Sequence, residues 1–180
     1  MAIPPLLRTM PNPPIAAIVY GADDDIEALL ERVARTLAAR GVRLGGVLQH
    51  ALPAQGDAAC GMQLENLETG ERFGLSQALG SGSVACRLDP DALARGAVAI
   101  RQAVEHRVDL VIINKFGAQE ATGSGLRDDM AQAVAAGVPV LTAIAERFLA
   151  DWHAFAGDDE GTLPAQFDRV LAWWDGEAAT

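Results

Sequence analysis

The sequence predicts an α/β fold: three layers around a mainly parallel sheet, with one antiparallel hairpin inserted. Three observations carry this. Ile15–Tyr20, Val108–Ile113 and Val138–Ile144 are nearly continuous apolar runs, as expected of strands buried on both faces. Between them, apolar residues recur three and four positions apart, the spacing of one helix face. The middle of the chain, Gly61 to Ser76, alternates instead and turns at Glu68-Thr69-Gly70, which reads as a hairpin.

The elements follow in order. IAAIVY (Ile15–Tyr20) is the first strand, and GADDD the turn after it. The helix Ile26–Arg40 places Ile26, Leu29, Leu30, Val33 and Leu37 on one stripe; Asp23 or Asp24 caps it and Gly41 ends it. Val42–His50 is the next strand, making the opening a β-α-β unit, right-handed by expectation. After the hairpin comes LGSGS, then a short strand at Cys86–Asp89. Asp89 caps a helix with Pro90 at its first position. A strand over Val108–Asn114, a helix ended by Gly137 and a strand over Val138–Ile144 complete the sheet. The tail reads as two short helices, with Trp152, Trp173 and Trp174 as packing anchors. Residues 1–14 read as a flexible leader and 15–176 as a single domain.

Composition bounds the function. The 180 residues fit one domain, and 50% hydrophobic with 5% aromatic content means a core of Ala, Leu and Val. A net charge of −10 argues against non-specific nucleic-acid or anionic-membrane binding, which needs clustered cations. No apolar run reaches the roughly 18 residues that span a bilayer, and the proline-rich start does not suit a signal peptide. A cytoplasmic protein is expected, with Cys60 and Cys86 as thiols. His50, His106 and His153 lack metal-ligand spacing.

Strand, glycine turn and helix form the frame of a phosphate loop, which needs G-x-x-x-x-G-K-[ST]. From Gly21 the chain reads GADDDIEA. Ile26 stands for the second glycine, Glu27 for the lysine and Ala28 for the hydroxyl, so no ATP is expected here. The strand ending at Asn114 and Lys115 carries an amide and a cation where a phosphate-loop enzyme carries acids. Lys115 is the only lysine in the chain. Beyond it lie Phe116, Gly117 and Glu120. Gly80-Ser81-Gly82-Ser83 offers free backbone N–H groups and hydroxyls, with Arg87 close by as a planar donor. Gly123-Ser124-Gly125 precedes a helix whose first turn holds Arg127, with simple capping by Ser124 as the plainer reading.

These pieces resemble the P-loop nucleoside triphosphatases related to nucleotide kinases. The likeness covers Ile15 to Ile144: a glycine-glycine strand in RGVRLGGVLQ, a hairpin turn at Asn66–Arg72 like D-L-x-T-G-x-R, and G-x-x-E matched by Gly117 and Glu120. More closely, and nearly end to end, the chain resembles an uncharacterised bacterial family of unknown function. That family shares SQ-x-L-G-x-GS-x-x-CRLDP, N-[RK]-FG-x-x-E-A-x-G-x-GLR and AGVPVLTA, all present here. Arginine alternates with lysine at the position of Lys115, which implies a required cation. The family is often encoded beside molybdate-transport genes. This implies molybdate, tungstate or a molybdenum-cofactor intermediate as ligand, and a second copy of the chain or a molybdenum-pathway protein as partner.

The function expected is non-hydrolytic binding of a small oxyanion or anionic cofactor. The ligand-binding residues are Lys115, Asn114, Arg87, Ser81, Gly82, Ser83, Arg127, Gly21 and Glu120, with no catalytic residue. The alternative is a divergent magnesium-dependent nucleoside triphosphatase or nucleotide transferase, in which Glu120 positions water and Asp24 or Asp25 carries the metal. A regulatory adaptor fits the same missing motifs.

Overall fold

The computed structural model describes residues 10–51, 61–74, 76–78, 86–157 and 161–177. Its strands are β1 (Ile15–Tyr20), β2 (Leu44–Ala51), β3 (Met62–Asn66), β4 (Arg72–Gly74), β5 (Ser76–Ala78), β6 (Cys86–Leu88), β7 (Leu110–Ile113), β8 (Val140–Ala145) and β9 (Thr162–Pro164). The helices are α1 (Ile26–Ala39), α2 (Pro90–Glu105), α3 (Ala118–Ala121), α4 (Arg127–Ala135), α5 (Leu149–Ala156) and α6 (Phe167–Trp174). Seven strands form one sheet in the order β4-β3-β2-β7-β8-β1-β9, and β5 and β6 pair separately. From β2 to β9 all neighbours in the sheet are parallel. The hairpin of β3 and β4 extends the sheet antiparallel beyond β2.

The apolar runs build two cores because successive strand residues face opposite ways. Val111 and Ile113 of β7 join Ile100 and Ala103 of α2, Met130 of α4 and Trp152 of α5 on one face. Leu110 and Ile112 join Leu30, Val33 and Leu37 of α1 and Val170 of α6 on the other. This is the expected three-layer arrangement. Two glycines let the layers close. A Cβ on Gly45 would stand 2.3 Å from the Ala103 Cβ, so α2 sits directly on β2. Gly46, at φ +94°, would press a Cβ to 2.1 Å from the Ile112 carbonyl oxygen.

Some expectations need correction. The cap of α1 is Asp25, whose carboxylate accepts from the Ala28 N–H at 3.0 Å. Asp24 is turned back instead, accepting from the Gly21 N–H at 2.8 Å. Ser124 does not cap α4; its hydroxyl donates to the Gln119 carbonyl at 3.0 Å. Leu163 and Pro164, expected to begin the last helix, instead belong with Thr162 to an edge strand beside β1. An edge tolerates Pro164, which has no N–H to give. Ahead of β1, the Pro14 carbonyl accepts from Val140 and the Pro13 carbonyl from the Trp173 indole. Among the described residues, no helix is long and apolar enough to cross a membrane.

Candidate functional site

The chain leaves β7 at Ile113, and the next three side chains are fixed in turn. Asn114 is 5% exposed. Its carbonyl accepts from the Gln49 backbone N–H at 3.0 Å, and its amide donates to the Gln49 side-chain carbonyl at 3.0 Å. Phe116 donates its N–H to Ala143 of β8 and buries its ring against Trp152 and Phe155, at centroid distances of 5.4 and 5.5 Å. Lys115, between two anchored neighbours, is thereby held in the lining of a cavity of about 210 Å³. Val47, Leu64, Leu93 and Leu126 supply apolar walls; Gln49, Asn114 and the segment from Gly117 to Glu120 supply the rest. Open α/β sheets bind ligands beyond their strand C-termini, where this cavity lies.

The first turn of α1 reaches two of the lining residues through Glu27. Oε1 of Glu27 accepts from the Gln49 side-chain amide at 2.9 Å and meets the Lys115 ammonium at 3.5 Å. Asn114, Gln49, Glu27 and Lys115 thus form a connected polar chain across three elements. Glu27 stands where a phosphate loop places its lysine, and Lys115 where such enzymes place an acid. The two charges are exchanged, and the exchanged pair still meets.

The Gly21 turn is unlike a phosphate cradle. The backbone N–H groups of Gly21 and Ala28 are occupied by Asp24 and Asp25. Ala22 to Glu27 line a shallow depression bearing Asp23, Asp24, Asp25 and Glu27. These four carboxylates repel a polyphosphate. Tyr20 leads into the turn, and burial pushes its phenol above the ordinary 10.0; Arg147 opposes this and Glu27 adds to it.

Glu120 is 7% exposed and spent on structure. Its two carboxylate oxygens accept from the N–H groups of Gly117 at 3.0 Å and Leu126 at 3.1 Å. This ties α3 to the start of α4 in place of a side-chain cap. Arg127 donates to the Glu120 carbonyl at 3.2 Å and lies 5.0 Å over the Phe155 ring, and it does not line the cavity. The expected site residues therefore separate. Lys115, Asn114 and Glu120 share one cavity, Gly21 belongs to the adjoining acidic turn, and Arg127 packs on the aromatic cluster. Ser81, Gly82 and Ser83 lie outside the described residues, as do Cys60 and the side chains of Arg87 and Cys86. Sequence reasoning missed Gln49, whose one signal is a polar side chain closing the apolar part of β2.

A larger groove, about 450 Å³, runs along α1 and the hairpin. It lies away from the strand C-termini. Its rim charges are paired, Arg35 with Glu31 at 2.5 Å and His106 with Glu68 at 2.7 Å. The smaller cavity, lined by the cation at a strand tip, is the candidate site.

Comparison with known proteins agrees with this fold. The crystal structure of THEP1 from the hyperthermophile Aquifex aeolicus superposes with a TM-score of 0.60 at 15% identity, over 89% of this chain and 95% of that one. The solution structure of a human cancer-related nucleoside triphosphatase gives a TM-score of 0.53 at 18% identity, over 72% and 76%. The chain is 43% identical over 160 residues to "Molybdenum import ATP-binding protein ModC 2" of Bradyrhizobium diazoefficiens. The match takes in 89% of this chain but only 18% of that relative's length. Residues 15–173 match the model of DUF2478, a family of unknown function, and the chain belongs to that family.

Proposed function

We propose that this protein is a non-hydrolytic binding module that holds a small anionic ligand, an oxyanion or an anionic cofactor, in the crevice beyond β2 and β7. The observation that carries the reading is Lys115. It is the single lysine of an acidic chain, its side chain 32% exposed, fixed in the lining of a cavity with apolar sides and held by its acidic partner only at 3.5 Å. A cation so placed attracts an anion while its neighbours exclude water. The hydrolytic alternative lacks support at both ends, since Asp24 and Asp25 are engaged with backbone N–H groups and Glu120 with Gly117 and Leu126. The relative named for molybdenum import supports a place in molybdenum or tungsten handling. Arg87 and the Ser81–Ser83 loop remain further candidates for ligand contact.

Calorimetric titration with molybdate, tungstate, phosphate and sulfate tests the reading together with small organic anions. Binding that Lys115→Ala abolishes is the expected result. Magnesium-dependent release of phosphate from ATP or GTP, lost in Glu120→Gln, overturns it in favour of a triphosphatase.

A further inference from the structure

We infer that the crevice takes an organic anion, a carboxylate, sulfonate or phosphate ester on an apolar body, and that Glu27 is the internal anion which this ligand displaces from Lys115. This rests on the anion-binding reading and narrows it to one class of ligand.

The cavity of about 210 Å³ equals the liquid volume of about seven waters. That is more than the four oxygens of a tetrahedral oxyanion fill. Such an ion gives up a full hydration shell on entering and needs donors on every side in return. Three of the donors here are already committed. The Asn114 amide serves Gln49, the Gln49 amide serves Glu27, and the Gly117 N–H serves Glu120. Lys115 supplies its charge from one side only, while Val47, Leu64, Leu93 and Leu126 present hydrocarbon. An ester or aryl acid matches both surfaces at once, charge to Lys115 and body to the aliphatic walls.

Glu27 already engages the ammonium that would meet that charge. Its Oε1 is bonded tightly to Gln49, at 2.9 Å, and loosely to Lys115, at 3.5 Å. The two side chains of the loose pair are 32% and 26% exposed, so separating them costs little. A ligand anion can therefore replace Glu27 at Lys115 while Glu27 keeps its bond to Gln49. Until then Glu27 both competes for the ammonium and repels an incoming negative charge. Glu27→Gln preserves an acceptor for Gln49 and removes the competing charge.

The test pairs each inorganic anion with its aryl derivative: sulfate with 2-naphthalenesulfonate, and phosphate with phenyl phosphate. Each is titrated calorimetrically into the full chain, Glu27→Gln and Lys115→Met, with circular dichroism melts to establish folding. Lys115→Gln replaces Lys115→Met if the latter does not fold. The aryl member is expected to bind one-to-one at least about tenfold tighter than its inorganic partner. Glu27→Gln should tighten it about fivefold, the effect of losing one partly exposed charge pair. Lys115→Met should weaken it about tenfold. Inorganic anions binding as tightly as aryl ones would overturn the organic class and leave anion binding standing. Aryl binding unchanged by Glu27→Gln would overturn displacement, and aryl binding unchanged by Lys115→Met would move the site elsewhere. No binding by any of the four, to the wild type or to Glu27→Gln, would remove the anion-binding reading itself and this inference with it.

Discussion

Replacing Asn114 with alanine removes the clamp on which Lys115 stands, and the cost can be worked from the contacts. Two hydrogen bonds of 3.0 Å are lost, one to the Gln49 backbone and one to its side chain. Each contributes about 1 kcal/mol net. A greater penalty comes from the group left behind, a Gln49 N–H without an acceptor inside the protein. That group costs about 1–3 kcal/mol more. The vacated space leaves room for water at the Gln49 side-chain carbonyl, so we expect a total loss of about 3 kcal/mol. For a chain of 180 residues this lowers the melting temperature by about 10 °C. Urea unfolding followed by far-UV circular dichroism measures it directly, with the m-value unchanged. Asn114→Asp separates the two bonds. One carboxylate oxygen still accepts from the Gln49 N–H, but the other faces the Gln49 carbonyl. Gln49 cannot reverse its amide, because its nitrogen is held by Glu27. This variant should therefore be destabilised at neutral pH and recover as acid protonates the new carboxyl. A loss below about 1 kcal/mol in Asn114→Ala, or an Asn114→Asp protein as stable as wild type at pH 7, would refute the reciprocal clamp.

Three further outcomes follow from local geometry. Gly125 has φ +62° and a Cβ there would fall 2.3 Å from Glu120 Oε1, whereas Gly123, at φ +91°, faces open space. Gly123→Ala should cost only the backbone strain of about 1 kcal/mol, and Gly125→Ala about 2 kcal/mol more by breaking the Glu120 bridge, both read by urea unfolding. Gly45→Val drives a side chain into Ala103 and should cost roughly 3 kcal/mol or more, visible as a lower melting temperature. Burial raises the Tyr20 pKa above its unfolded value. Its contribution is then complete below roughly pH 10 and is lost as pH rises through the folded-state value. Urea midpoints between about pH 8 and 11.5 should fall less steeply in Tyr20→Phe than in wild type.

What the sequence disclosed about the fold was local. An apolar run such as VDLVIIN requires shelter on both faces, and the alternation around Glu68-Thr69-Gly70 requires a two-faced hairpin. Asp89-Pro90 carries its own helix start, and the cap is where it was expected. Asp23 and Asp24 were the caps expected, but Asp25 has the same chemistry, and the turn of the backbone chose it. The site was legible at one end. Lys115 announced itself by rarity and position, but its partners lie far off along the chain. Gln49 is 65 residues from Asn114, and Glu27 is 88 from Lys115. No spacing rule connects such pairs; the sheet order does, by setting β2 beside β7 and turning the first turn of α1 over their ends. Edge strand β9 was hidden for a different reason. Three residues are too few to show a period, and Pro164 reads as a helix start.

The exchanged charges explain why the fold is shared with triphosphatases while the chemistry proposed for it differs. A phosphate loop works because bare N–H groups and a lysine converge on one point. In this chain the Gly21 and Ala28 N–H groups are answered by Asp24 and Asp25, and Glu27 stands at the lysine position. A polyphosphate approaching the turn meets four carboxylates and no free cation of the loop. The positive end of the site has moved to the tip of β7, on the far side of Glu27. That displacement moves the attractive point from an open turn to a cavity with apolar sides, where Asn114 and Gln49 are bonded to each other. An open turn accommodates a polyphosphate that keeps its outer oxygens in water. A walled cavity favours a ligand with one charged end and a body able to leave water, which is why binding energy here should scale with the apolar part of the ligand. A homologous series of alkyl sulfonates tests this: each added methylene should tighten binding about threefold to fourfold until the cavity is full, and a flat series would refute it.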